Sequence, residues 1–78
     1  MGAHIVRTFS RNPDAMVQSV HPGMNYEEWS SILGKPDGID TGCEGLCDYV
    51  EYDARGFKVR LVVSPDTGIL QDIGKVPY

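Results

Sequence analysis

The residues with the types and spacing for chemistry are two cysteines and a set of acids that share one short stretch. Cys43 and Cys47 stand four apart, and Asp37, Asp40, Glu44 and Asp48 lie around them. A disulfide across so small a loop is sterically feasible and would order a glycine-rich segment. In a reducing compartment the same pair stays as two thiols. Three residues separate the cysteines, so they do not form a Cys-x-x-Cys redox motif, and no strand-to-helix turn surrounds them. A structural zinc needs four ligands; the remaining candidates, His4 and His21, are far off and lack ligand spacing. The acids do not occupy the positions of a calcium loop, which closes on a bidentate glutamate. Paired-carboxylate hydrolysis needs a sugar cleft, for which 78 residues leave little room. Asp37, Asp40 and Glu44 therefore read either as part of a solvated acidic loop or as a docking surface for a basic protein partner.

The other polar candidates are weaker. His21 precedes Pro22 at a corner, with no evident serine or cysteine nucleophile and acid beside it. Ser30 and Ser31 fall inside a helical pattern and not on a nucleophile elbow. Gly34-Lys35-Pro36 lacks the upstream glycine and the Ser/Thr that a phosphate loop requires. The residues therefore predict no catalytic site, no metal and no cofactor. A formal net charge of −4 argues against general affinity for nucleic acid, which needs a basic face. No run approaches the roughly 20 apolar residues needed to span a bilayer. The first residues lack the apolar stretch and cleavage site of a signal peptide, so a cytoplasmic location is expected by default, and a periplasmic one if a leader has been removed.

The elements that must position these residues are legible from local signals. One domain is expected over residues 1–78, with residues 1–12 as a short edge strand or arm. Asn12 suits an N-cap, Pro13 a first helical position and Asp14 the positive helix end, while Met16, Val17 and Val20 share a face; this predicts a helix over 13–20. His21-Pro22-Gly23 ends it. Asn25 with Glu28 forms a capping-box pattern, Tyr26, Trp29 and Leu33 make an apolar stripe with Ile32 beside it, and Gly34 and Pro36 stop the second helix. Residues 37–45, with three glycines and three acids, read as a loop. The period then changes to two. Strands are expected over 46–53, 57–63 and 69–73, joined by turns at Asp53–Gly56 and Ser64–Gly68. The expected fold is α+β: two N-terminal helices packed on one face of a three-stranded antiparallel meander.

Strand parity suggests where recognition would occur. Phe57, Val59, Leu61 and Val63 share the face that the helices must cover, and Lys58, Arg60 and Val62 share the other. Tyr49 and Tyr52 have opposite parity, so one packs under the helices and the other lies on the open face. Tyr49 flanked by Lys58 and Arg60, with Val62 and Leu70 expected on the same face, is more apolar surface than a solvated face needs and favours a partner or a homodimer.

One segment resembles a known family. Val20-His21-Pro22-Gly23-Met24-Asn25-Tyr26-Glu27-Glu28-Trp29, followed by Leu33-Gly34-Lys35-Pro36-Asp37, is similar to the Gly-Met…Leu-Gly-x-Pro segment of the BamE/SmpA family of outer-membrane-assembly lipoproteins and to each half of the β-lactamase inhibitory proteins. The resemblance implies two helices before an antiparallel meander and an adaptor or inhibitor that acts by surface contact, with no catalytic residues. The chain departs from the lipoproteins in having no lipidation cysteine near its N-terminus and a bulky Trp29. The leading expectation is a small non-catalytic binding or inhibitory protein, with a phage or toxin–immunity context suggested by its size and acidity. The alternatives are a periplasmic envelope-assembly adaptor and a thiol-based enzyme.

Overall fold

The computed structural model describes residues 12–78. The arm or edge strand expected over residues 1–12 falls, Asn12 apart, outside them. The described chain runs α1 (Pro13–Ser19), α2 (Tyr26–Leu33), β1 (Gly38–Gly42), a tight turn at Cys43–Gly45, β2 (Cys47–Asp53), β3 (Phe57–Val63) and β4 (Leu70–Pro77). The four strands form one antiparallel sheet in the order β1-β2-β3-β4. The expected three-stranded meander is therefore corrected to a four-stranded sheet: the stretch read as an acidic loop supplies an edge strand. The last strand also runs on to Pro77 and does not stop at 73.

Both helices form where their caps dictate. The Asn12 carboxamide oxygen accepts from Ala15 N–H at 3.0 Å, satisfying one of the unpaired donors of the first turn. In α2 the capping box closes reciprocally: Glu28 N–H donates to Asn25 Oδ1 at 2.9 Å, and Asn25 N–H to Glu28 Oε1 at 3.0 Å. Gly34 ends α2 at φ 80°, a conformation that costs glycine little. Trp29 and Leu33 are buried as the stripe predicts, whereas Tyr26 is 58% exposed. Its ring meets the Trp29 ring edge-on at 5.2 Å, so it covers the indole and does not enter the core.

The helices lie on one face of the sheet and are tied to it at three places. Trp29 Nε1–H donates to Gly68 O at 2.9 Å, and Tyr52 O–H donates to Gly34 O at 2.7 Å. The corner between the helices pairs with the start of β4 through Gly23 N–H to Leu70 O and Leu70 N–H to Met24 O, both at 2.8 Å. Met16, Val20, Trp29 and Leu33 pack against Val50, Tyr52, Val59, Leu61, Val63 and Leu70. Leu70 is corrected by this: only 1% exposed, it belongs to the core and not to the open face. The pairing of β3 with β4 slips between Val62 and Val63, so that Val62 faces Asp72 while Val63 faces Leu70. The extra residue reverses parity along β4 and turns Leu70 inward.

Candidate functional site

The helices cover the inner sheet face, and the outer face carries the candidate site. Its side chains follow from register. Across β1 to β4, one row reads Asp40, Tyr49, Val62, Asp72; the next reads Gly38, Glu51, Arg60, Gly74; and β2 to β4 continue with Asp53, Lys58 and Val76. Tyr49, Lys58, Arg60 and Val62, four of the expected partner-binding residues, are thus brought together.

Tyr49 organises the centre. Its ring lies over Gly42, where a Cβ would fall well inside contact distance of the ring carbons. The Arg60 guanidinium carbon sits 4.7 Å from the ring centroid, within cation–π range. Arg60 Nε–H donates to Glu51 Oε2 at 2.8 Å, and Lys58 Nζ lies 3.4 Å from Glu51 Oε1. The Glu51 side chain is only 15% exposed, against 33% for Lys58 and 35% for Arg60. Two half-exposed cations thus lie over a nearly covered carboxylate. Hydrogen-bonded charges of this kind hold side chains in one geometry more than they add stability. Beside them is a shallow, open hollow of about 180 Å³, lined by Arg60 and Val62 of β3 and by the Asp72–Val76 stretch of β4, Ile73 and Lys75 included. Gly74 leaves it open, since nothing lies within 4 Å of where its Cβ would stand.

The acids do not gather into one patch. Asp37 Oδ2 accepts from Asp53 N–H at 2.8 Å and its own N–H donates to Glu51 O, so it locks the entry to β1. Asp40 is on the outer face and accepts from Thr41 N–H at 2.8 Å on the sheet edge. Glu44 is exposed in the turn, and Asp48 has inner-face parity opposite Val63. Cys43 and Cys47 are joined as a disulfide that closes this turn, with Cys47 buried and Cys43 exposed. Cys43 and Glu44 have φ of 53° and 55°, unusual for residues other than glycine. Leu46, 78% exposed, forms its tip. His21 is exposed, its Nδ1 3.1 Å from Pro22 O.

Sequence reading missed Glu51, Gly42 and Gly74. Glu51 had a signal, since residues 49, 51 and 53 share parity and face 62, 60 and 58 across the hairpin. The two glycines had none, because each matters only through a neighbouring strand. Among the described residues, no group of three or more His, Cys, Asp or Glu side chains is placed to hold a metal ion, and no helix is long and apolar enough to cross a membrane.

Comparison of the chain with protein-family models, with curated proteins and with solved structures finds no match.

Proposed function

We propose that this chain is a non-catalytic protein-binding module that engages its partner through the outer sheet face. The observation that carries this reading is the ordered cluster on that face: Tyr49 held between Gly42 and Arg60, Glu51 under Lys58 and Arg60, and Val62 beside the Gly74 hollow. Tyrosine and arginine on a rigid scaffold lose little conformational freedom on binding, which is why they recur as interface anchors. The likeness of Val20–Asp37 to the BamE/SmpA and β-lactamase-inhibitor segments supports an adaptor or inhibitor over an enzyme.

A second reading, an adaptor working in an oxidising compartment such as the periplasm, is favoured by one observation. The Cys43–Cys47 disulfide persists where thiols are not kept reduced. The same bond weighs against a thiol enzyme, because a thiolate nucleophile requires a free sulfur.

The test uses the wild-type chain and three variants as baits in an extract of the native host. The expected result is a protein retained by the wild type, lost with Tyr49→Ala and with Arg60→Glu, and retained with Glu27→Lys on the exposed side of α2. A captured protein indifferent to both outer-face changes, or lost equally with Glu27→Lys, overturns the reading.

A further inference from the structure

We infer that the outer sheet face binds a second copy of this chain, as a face-to-face homodimer about a two-fold axis parallel to the strands. The inference rests on the reading of that face as a binding surface and names its occupant. It follows from how charge is divided between the two central strands.

On the outer face, β2 presents Tyr49, Glu51 and Asp53, and β3 presents Val62, Arg60 and Lys58, residue opposite residue. One column is acidic and its neighbour basic, each with an apolar group at the same end. A two-fold axis between β2 and β3, lying along the strands, sets β2 of each copy over β3 of the other without changing height. Tyr49 then faces Val62 of the second copy, Glu51 faces Arg60, and Asp53 faces Lys58. Every contact occurs twice, as an isologous interface requires. The other face-to-face arrangement, with the axis across the strands, places each column over its own copy, acid on acid and base on base. Charge in the two central columns therefore favours the first orientation. Two stacked sheets lie about 10 Å apart, a gap filled by side chains of this size. The same axis sets Asp40 over Asp72 of the second copy, a like-charge pair that lies at the rim, where water screens it.

Glu51, Lys58 and Arg60 are already paired within the chain, so the second copy converts each cluster into part of a four-stranded charge network and does not present a buried charge with its first partner. The two facing columns supply six residues a side, few against the roughly 20–30 of a standard interface. The association expected is consequently weak, roughly in the micromolar to millimolar range, and sensitive to salt.

The experiment is sedimentation equilibrium on the full chain with its disulfide intact. The wild type should show a concentration-dependent dimer whose dissociation constant rises at least about tenfold between about 0.05 and 0.5 M salt. An acidic variant (Lys58→Glu with Arg60→Glu) and a basic variant (Glu51→Lys with Asp53→Lys) should each be monomeric alone and form a heterodimer when mixed in equal amounts. Circular dichroism first establishes that each variant folds. If one does not, the wild-type concentration and salt series decides by itself. A wild type that stays monomeric up to about 1 mM, a dimer indifferent to salt, or folded variants that do not associate on mixing overturns the inference. If a different protein is captured in a manner dependent on Tyr49 and Arg60 while the wild type remains monomeric, the homodimer fails and the binding-face reading stands.

Discussion

At the scale of single residues, the outer face depends on what lies beside Tyr49. Gly42 has an ordinary extended backbone at φ −130°, so its importance is spatial and not conformational. Gly42→Ala puts a methyl group where the ring now lies. Because the contact is with the far end of a side chain, the ring can swing away, and the expected cost is about 1–2 kcal/mol with the fold retained. Chemical denaturation measures that cost, and displaced Tyr49 ring resonances report the movement; an unmoved ring contradicts the packing described. A second residue carries a pH signature. The Tyr78 O–H donates to Asp53 Oδ1 at 2.9 Å, and this hydrogen bond, more than burial or the Asp53 charge, raises the phenol above its usual value of 10.0. Folding favours the neutral phenol, so its contribution is complete below the unfolded value and disappears as pH rises through the raised one. Tyrosinate absorbance of the wild type minus that of Tyr78→Phe should reveal a component titrating above 10.0, and one at or below that value would contradict the contact.

At the scale of elements, β1 is the segment most dependent on its neighbours. It is a five-residue edge strand containing two glycines and an aspartate, and Ile39 within it is 66% exposed. What defines it is pairing with β2 and the turn that aims it back. That turn places Cys43 and Glu44 in the left-handed region, and the disulfide closes it. Replacing both cysteines with serine should lower stability by about 2 kcal/mol, the chain-entropy value for so short a loop. Amide exchange should speed up in Gly38–Gly42 while β3 remains protected; uniform acceleration would contradict a local role. The same distinction explains what was legible beforehand. The helices were readable because Asn12, Asn25, Glu28 and Gly34 act within one turn, and β3 because Phe57–Val63 alternates cleanly. β1 was not, since glycine and aspartate are poor strand formers alone and Gly42 matters only under a ring from the next strand. Leu70 was misplaced for a related reason: a slip in the β3–β4 register reverses parity, and a parity count along one strand does not detect it. Of the candidate site, Tyr49, Lys58, Arg60 and Val62 were visible through period two, while Glu51 emerged only with the hairpin register.

At the scale of the whole molecule, the chain divides its labour between two sheet faces. The inner face is spent on the core, where Tyr52, Val59 and Leu61 are fully covered and the helices and their caps are tied down by hydrogen bonds with Gly68, Tyr52 and Leu70. Among the described residues no helix covers the outer face, yet its charged and aromatic groups are held in place. We propose that this order serves recognition, because a small domain has little stability to spare. The most direct measurement is the amide spectrum of the isotopically labelled chain, recorded as its partner is added or as its own concentration is raised. The account predicts shifts confined to β2, β3 and β4 around Tyr49, Glu51, Arg60, Val62 and Gly74. Shifts concentrated on the exposed side of α2, at Glu27 and Ser31, with those strands silent, would contradict it.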